Sequence, residues 1–205
     1  GARINGVDLA SELSADEIIE LRAAIDEYSV LHFPGQAMSD EAQLALTRQL
    51  GEPEESHGVF GRTGEIEYIG TIGNVVDGET KRDEADPQTL SQKGNNLWHS
   101  DSSFRQVPSY VSILHAYEVP TEGGETEFVS QRAGYSQLTP EQRAEIDDLH
   151  VLHDYVFSRS KTVLVNDNHA ASLPPIEQKL VRTNPRNGRQ NFYVGSHARS
   201  IIGRS

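Results

Sequence analysis

The feature that most constrains the fold of this sequence is a hairpin signal, the dipeptide Asn187-Gly188. It separates residues 181–184 from residues 190–194, and both stretches contain strand-forming residues. Asn and Gly tolerate positive φ, so this dipeptide favours the tight turn of a β-hairpin. The pattern is typical of a mainly β protein, a sandwich or barrel with a few flanking helices. Other short β-rich stretches, each ended by turn residues, lie at 30–33, 65–76, 109–117 and 125–129.

Start signals predict three helices. Ser14 and Glu17 form a capping-box pattern at the start of the first. Ser39 precedes acidic residues that suit the N-terminus of the second, and Gly51 ends it. Thr139 precedes a proline at the start of the third. Polar composition predicts loops over 77–94 and 166–175.

Composition limits the class of protein and its partners. Lys plus Arg total 18 against 31 Asp plus Glu, so the net charge of −13 disfavours nucleic acid and anionic membranes as partners. The absence of cysteine excludes disulfides and thiolate metal sites. No apolar run approaches the roughly 18 residues of a membrane span, and no signal-peptide pattern is present, which favours a cytoplasmic location. The length predicts a single domain over residues 1–205.

A His-X-Asp triplet, His99-Ser100-Asp101, is the strongest chemical signal. On an extended strand, residues two apart point to the same side, so the imidazole and the carboxylate would share one face. Such a face suits two of the three ligands of a 2-His-1-carboxylate iron site. On the triplet alone, a solvated strand end with a hydrogen-bonded histidine is the simpler interpretation.

The neighbouring motifs favour the iron site. Five segments carry these motifs: 95–105, 120–128, 153–159, 180–185 and 188–198. Through them the chain resembles the Fe(II)/2-oxoglutarate dioxygenases of the taurine dioxygenase and 2,4-dichlorophenoxyacetate dioxygenase family over nearly its whole length, and the herbicide-degrading branch most closely.

The resemblance implies a double-stranded β-helix, or jelly roll, with His99 and Asp101 as iron ligands. It implies that Thr126 hydrogen-bonds a carboxylate of 2-oxoglutarate and that Asn95 lies near this cosubstrate. Residues implied to contact the substrate are Asn95, Ser158, Arg159, Tyr193 and His197.

The activity implied by the resemblance is hydroxylation of a small anionic organic acid, with conversion of 2-oxoglutarate and O2 to succinate and CO2. An aryloxyalkanoate, cleaved at its ether, is the first substrate expected. An alkylsulfonate or sulfate ester is the second. A non-catalytic jelly-roll binding protein with a partial metal site is the third interpretation. A homo-oligomer is expected.

Two elements of the family pattern have no counterpart in the sequence: a second histidine ligand and an arginine that binds the 2-oxoglutarate carboxylate, both beyond the hairpin. We therefore expect the sequence to be part of a longer polypeptide, with a natural truncation or degenerate copy as the alternative. No histidine present is favoured as a replacement ligand. The candidates are His57, His150, His153, His169 and His197.

Overall fold

A computed structural model describes residues 1–54, 68–76, 80–162, 165 and 167–204, with backbone alone at 76, 87, 88, 91 and 167–169. The chain divides into two compact units. The first combines Gly1–Gly70 with Tyr110–Ser130, and the second combines Thr71–Ser109 with Gln131–Ser205.

The first unit contains two helices and a small parallel sheet. A buried apolar cluster, which includes Leu13 and Leu46, forms its core. The predicted capping box is confirmed: Ser14 accepts from the backbone N–H of Glu17, whose carboxylate accepts from the N–H of Ser14. The elements are β1 (Ala2–Arg3), α1 (Ala15–Tyr28), β2 (Leu31–His32) and α2 (Asp40–Leu50), and β1 pairs with β2.

The strand predicted over 109–117 is wrong. Val111 and Ile113 pack against the apolar cluster, so the alternation of an extended chain is present. The carbonyl of Ile113 accepts a hydrogen bond from the Gln43 side chain at 3.1 Å. No strand pairs with this segment among the described residues, and a strand needs a ladder partner as well as an apolar pattern. The strand predicted over 125–129 is wrong for the same reason, and its side chains are exposed.

The second unit is built on a three-stranded antiparallel sheet and a hairpin. The sheet order is β6-β5-β9, with Val151 of β5 opposite Gln178 of β6 and Ile201 of β9. The strands are β3 (Val75–Val76), β4 (Thr80–Lys81), β5 (His150–His153), β6 (Ile176–Lys179), β7 (Val181–Thr183), β8 (Gln190–Phe192) and β9 (Ala198–Ile201). The helices are α3 (Pro87–Lys93), a 3-10 turn (Gly94–Asn96), α4 (Gln131–Ser136), α5 (Pro140–Ile146), α6 (Tyr155–Arg159) and α7 (Asp167–Ser172).

The predicted hairpin is confirmed. Thr183 of β7 lies opposite Gln190 of β8, and the turn contains Gly188 at a φ of 69°. The N–H of Asn184 donates to the carbonyl of Arg189 at 2.8 Å and closes the turn. The predicted cap of α5 is also confirmed.

The loops predicted over 77–94 and 166–175 each contain a helix, α3 and α7, so those predictions are wrong. At the start of α3, the side chain of Asp86 accepts from the N–H of Thr89 at 3.3 Å. Pro87 occupies the first helical position, where a missing N–H costs nothing. Pro87 therefore begins a helix within a stretch whose polar composition predicts a loop. Of the stretch 65–76, the described residues are in a strand at β3 only, and 65–67 lie outside the described part.

Helices and sheets both occur, as predicted, and the strands of the described residues form small sheets of two or three strands. Within the part of the chain that the structure describes, no helix has the length and apolarity needed to cross a bilayer.

Candidate active site

The His99 and Asp101 side chains meet just after the 3-10 turn, where Asp101 begins a further turn rather than continuing a strand. Nε2 of His99 lies 3.2 Å from Oδ1 of Asp101. The imidazole is 22% exposed and the carboxylate is 57% exposed, so both are accessible to a ligand. The structure therefore brings together the two residues that the triplet predicted on one face.

The other ring nitrogen of His99 fixes its orientation. Nδ1 lies 2.6 Å from the carbonyl oxygen of Leu97. A carbonyl only accepts, so Nδ1 carries the proton and Nε2 faces Asp101. The hydrogen bond to Asp101 raises the pKa of His99, against the effect of partial burial. Once Nε2 is deprotonated, this nitrogen and the carboxylate form a donor pair that suits Fe(II), supported by a backbone contact of the kind that orients metal-bound histidines.

The segment after β8 packs backbone against backbone on the His99 segment. A Cβ placed on Gly195 would lie 2.9 Å from Cα of His99 and 3.2 Å from the carbonyl oxygen of Trp98. The N–H of Ser196 donates to that same carbonyl at 2.7 Å. Gln131 joins the two segments, since its amide nitrogen donates to the carbonyl of Val194 at 2.7 Å and to the hydroxyl of Ser100 at 3.4 Å. The close approach depends on the missing side chain at position 195.

The ring of His197 lies edge-on to that of His99, with centroids 5.9 Å apart and planes at 87°. The side chain is 3% exposed and packs against the rings of Phe104 and Tyr155. Burial, together with the positive charges of His99 and Arg159, lowers the pKa of His197 to about 4. The imidazole is therefore neutral at neutral pH.

Arg159 brings a positive charge close to both histidines. Its Nη2 donates to Oδ1 of Asn95 at 2.8 Å, and its guanidinium lies 5.5 Å from the ring centroid of Tyr155. A Cβ on Gly94 would lie 2.2 Å from Nη1 of Arg159, so only glycine leaves room for this arrangement. The predicted residues Asn95 and Arg159 are thus in direct contact.

Two further residues predicted at the site are buried. The hydroxyl of Ser158 is within 2.9 Å of the hydroxyl of Ser196, and Ser158 is 2% exposed. Tyr193 is 9% exposed, with its ring 5.3 Å from that of His153 and 4.5 Å below the guanidinium of Arg182. Their roles toward a substrate stay predictions.

Thr126 belongs to the first unit, where it is exposed and in neither helix nor strand. Its role toward 2-oxoglutarate also stays a prediction.

The histidines considered as replacement ligands lie in different places. His150 pairs with Glu177, and His153 is buried with 1% exposure. His57 and the side chain of His169 lie outside the described part. The described residues contain no group of three His, Asp or Glu side chains arranged to hold a metal ion.

Two contributors to the site were not predicted. Gly195 carries no signal beyond being a glycine beside a hairpin, and its closeness to His99 is a tertiary contact. Ser103 is 2% exposed and its hydroxyl contacts both His153 and His197. Ser103 lies in a turn that begins at Asp101, so the alternation of an extended strand does not predict its contacts.

The sequence matches the family model described as "Taurine catabolism dioxygenase TauD, TfdA family" over residues 1–205, and the chain belongs to this family. Its members are α-ketoglutarate-dependent dioxygenases, so the predicted enzyme class is confirmed.

Individual relatives support the same class. The chain is 34% identical to an α-ketoglutarate-dependent 2,4-dichlorophenoxyacetate dioxygenase of Cupriavidus pinatubonensis, over 98% of this chain and 72% of the relative. It is 31% identical to an (S)-phenoxypropionate/α-ketoglutarate dioxygenase of Sphingobium herbicidovorans, over 99% and 70%.

A solved structure is similar throughout. The crystal structure of AAD-2 in complex with Mn(II) and N-oxalylglycine superposes with a TM-score of 0.88 at 35% identity, over 99% of this chain and 72% of that one. The predicted dependence on Fe(II) and 2-oxoglutarate is confirmed by the family and these relatives.

Proposed function

We propose that the protein oxidises a small organic acid, of which an aryloxyalkanoate is the first choice, with His99 and Asp101 as ligands of Fe(II). One observation carries this proposal: Nε2 of His99 and Oδ1 of Asp101 are 3.2 Å apart, while Nδ1 is held by the Leu97 carbonyl. A nitrogen and an oxygen donor are thus oriented before the metal binds, which lowers the cost of forming the site.

When bound, Fe(II) with 2-oxoglutarate and O2 supplies the oxidation of a C–H bond and yields succinate and CO2. The protein's part is to hold the reactants in place and to exclude water. His99 and Asp101 hold the metal. Thr126 holds a carboxylate of 2-oxoglutarate, a role that rests on the resemblance of its own segment, and Asn95 lies beside the cosubstrate.

Recognition of an anionic substrate falls to Arg159, whose positive charge reaches both histidines. It opposes the rise in the pKa of His99 that the Asp101 hydrogen bond causes, and it adds to the lowering of the pKa of His197 by burial. A guanidinium can bind a carboxylate through two hydrogen bonds. His197, Tyr193 and Ser158 complete the proposed substrate contacts, together with Asn95. If the oxidised carbon carries an ether oxygen, the hydroxylated product is a hemiacetal that collapses and breaks the ether.

The wider proposals follow from the same resemblance. The catalytic fold is a double-stranded β-helix within one domain, the enzyme acts in the cytoplasm, and it forms a homo-oligomer. The similarity to the solved AAD-2 structure supports the fold.

The test of the function is succinate release with Fe(II), 2-oxoglutarate and a substrate panel. We expect turnover with aryloxyalkanoates and its loss in Asp101→Ala. Turnover that persists in Asp101→Ala would refute the assigned metal ligand. Binding of 2-oxoglutarate without turnover of any panel member would favour the non-catalytic interpretation.

A second candidate substrate class is the alkylsulfonates, with sulfate esters beside them. The family description, which names taurine catabolism, supports it. The same panel separates the two classes, because a higher kcat/KM for a sulfonate than for any aryloxyalkanoate would reverse the order proposed here.

A further inference from the structure

A chain of buried polar side chains leads from a backbone carbonyl to the ring of His197. Nε2 of His153 lies 3.2 Å from the carbonyl oxygen of Tyr193. Nδ1 of His153 lies 3.1 Å from the hydroxyl oxygen of Ser103, which lies 3.4 Å from Nδ1 of His197. Ser103, His153 and His197 are each 3% exposed or less, so water does not compete for these contacts.

The carbonyl of Tyr193 at one end sets the direction of every hydrogen bond in this series. It can only accept, so Nε2 of His153 carries a proton. Burial lowers the pKa of His153, so the ring is neutral and its Nδ1 accepts the hydroxyl proton of Ser103. Ser103 has no second proton to give, so its oxygen accepts from Nδ1–H of His197.

We propose that Ser103 and His153 are positioning residues that fix His197 in its Nδ1–H tautomer and leave its Nε2 as a hydrogen-bond acceptor. Nε2 is the ring nitrogen that does not contact Ser103. Contacts with Phe104 and Tyr155 hold the plane of the ring.

This inference rests on the proposed function, which places His197 at the substrate site. It gives Arg159 and His197 different roles in recognition. A bare Nε2 repels a carboxylate and accepts from a donor. Because an aryloxyalkanoate anion carries no O–H or N–H group, that donor is a bound water beside the substrate. The substrate anion is therefore recognised by Arg159, and His197 accepts from the water that bridges to the substrate.

The decisive measurement is the tautomer of His197, read from two-bond ¹H–¹⁵N correlation spectra of the whole chain labelled with ¹⁵N-histidine. In the wild type, we expect the proton on Nδ1 of His197 and on Nε2 of His153. Ser103→Ala removes the acceptor, and the His197 proton should move partly or wholly to Nε2.

Two substitutions at His153 test the direction of the hydrogen bonds between His153, Ser103 and His197. His153→Gln keeps a donor for the Tyr193 carbonyl and an acceptor for Ser103, so the tautomer of His197 should be retained. His153→Leu frees the Ser103 hydroxyl to donate to His197, which should then carry its proton on Nε2. A wild-type His197 protonated at Nε2, or a tautomer unchanged in Ser103→Ala, would overturn the proposal.

Kinetics provide the readout at the site. In Ser103→Ala, we expect KM for the substrate to rise about tenfold with the affinity for Mn(II) unchanged, the effect of one weakened hydrogen bond. The spectra need neither metal nor turnover, so the two proposals can fail separately. If the spectra are as expected but no substrate is turned over, the proposed function is refuted. If substrate is turned over but the His197 tautomer does not change in Ser103→Ala, this inference is refuted.

Discussion

Gly195 lies so close to His99 that a Cβ on the glycine would be 2.9 Å from the histidine's Cα. The nearest atoms are backbone atoms of the candidate metal-binding segment, which cannot move aside as a flexible side chain can. The position of His99 therefore depends on a residue that has no side chain.

We predict that Gly195→Ala weakens metal binding by about 10- to 100-fold, the range seen when the support of a ligand is disturbed. The added methyl group should also lower the free energy of unfolding by about 1–3 kcal/mol. Titration with Mn(II) and urea denaturation measure the two effects.

Gly51→Ala is the matched control. Its φ of 164° is extended and a Cβ there would meet no atom within 4 Å. We expect neither metal affinity nor stability to change much. Equal metal affinity in the Gly195 and Gly51 variants would show that the close approach does not position His99.

Arg159→Gln should raise KM for an aryloxyalkanoate by about 10- to 100-fold, because a charge-assisted hydrogen bond contributes about 1.5–3 kcal/mol. The KM of Arg159→Lys should lie between those of the wild type and Arg159→Gln, since lysine keeps the charge but lacks the planar guanidinium. Steady-state kinetics measure both. Arg204→Gln, which alters an exposed arginine bonded to the Glu145 carbonyl, is the control. An unchanged KM in Arg159→Gln would show that another residue binds the substrate anion.

His153 should make the protein less stable in mild acid. Burial lowers its pKa, so the folded state leaves the ring neutral at a pH where the unfolded chain, with a pKa of about 6.5, already binds a proton. The unfolded state binds more protons in this window, and the free energy of unfolding therefore falls as the pH drops below about 6.5.

Urea denaturation between pH 7.5 and 5 measures this effect, and His153→Gln should reduce the slope because glutamine does not titrate. The same slope in the wild type and His153→Gln would contradict the assigned protonation state.

Local signals allowed parts of both units to be predicted. The caps at Ser14 and Thr139 and the turn at Asn187-Gly188 depend on residues within a few positions of one another, and all three are confirmed. The pair His99 and Asp101 is equally local, since a single residue separates its members in the sequence.

The failures concern interactions between distant residues. Residues 109–117 have the pattern of a strand, but a ladder also needs a partner that no local pattern reveals. Pro87 lies in a stretch whose polar composition predicts a loop, but a proline can also begin a helix, and the capping contact of Asp86 marks that start. Ser103 meets His153 across 50 positions of sequence, so their contact could not be predicted.

The most direct test of the account is the affinity for Mn(II), measured by equilibrium dialysis, in the wild type, His99→Ala, Asp101→Ala and the control His150→Ala. His150 pairs with Glu177 away from the proposed ligands, so its variant should bind metal as the wild type does. We predict that His99→Ala and Asp101→Ala each lose at least about 100-fold in affinity, because each removes a ligand atom. Wild-type affinity in either variant would contradict the assignment of the metal site.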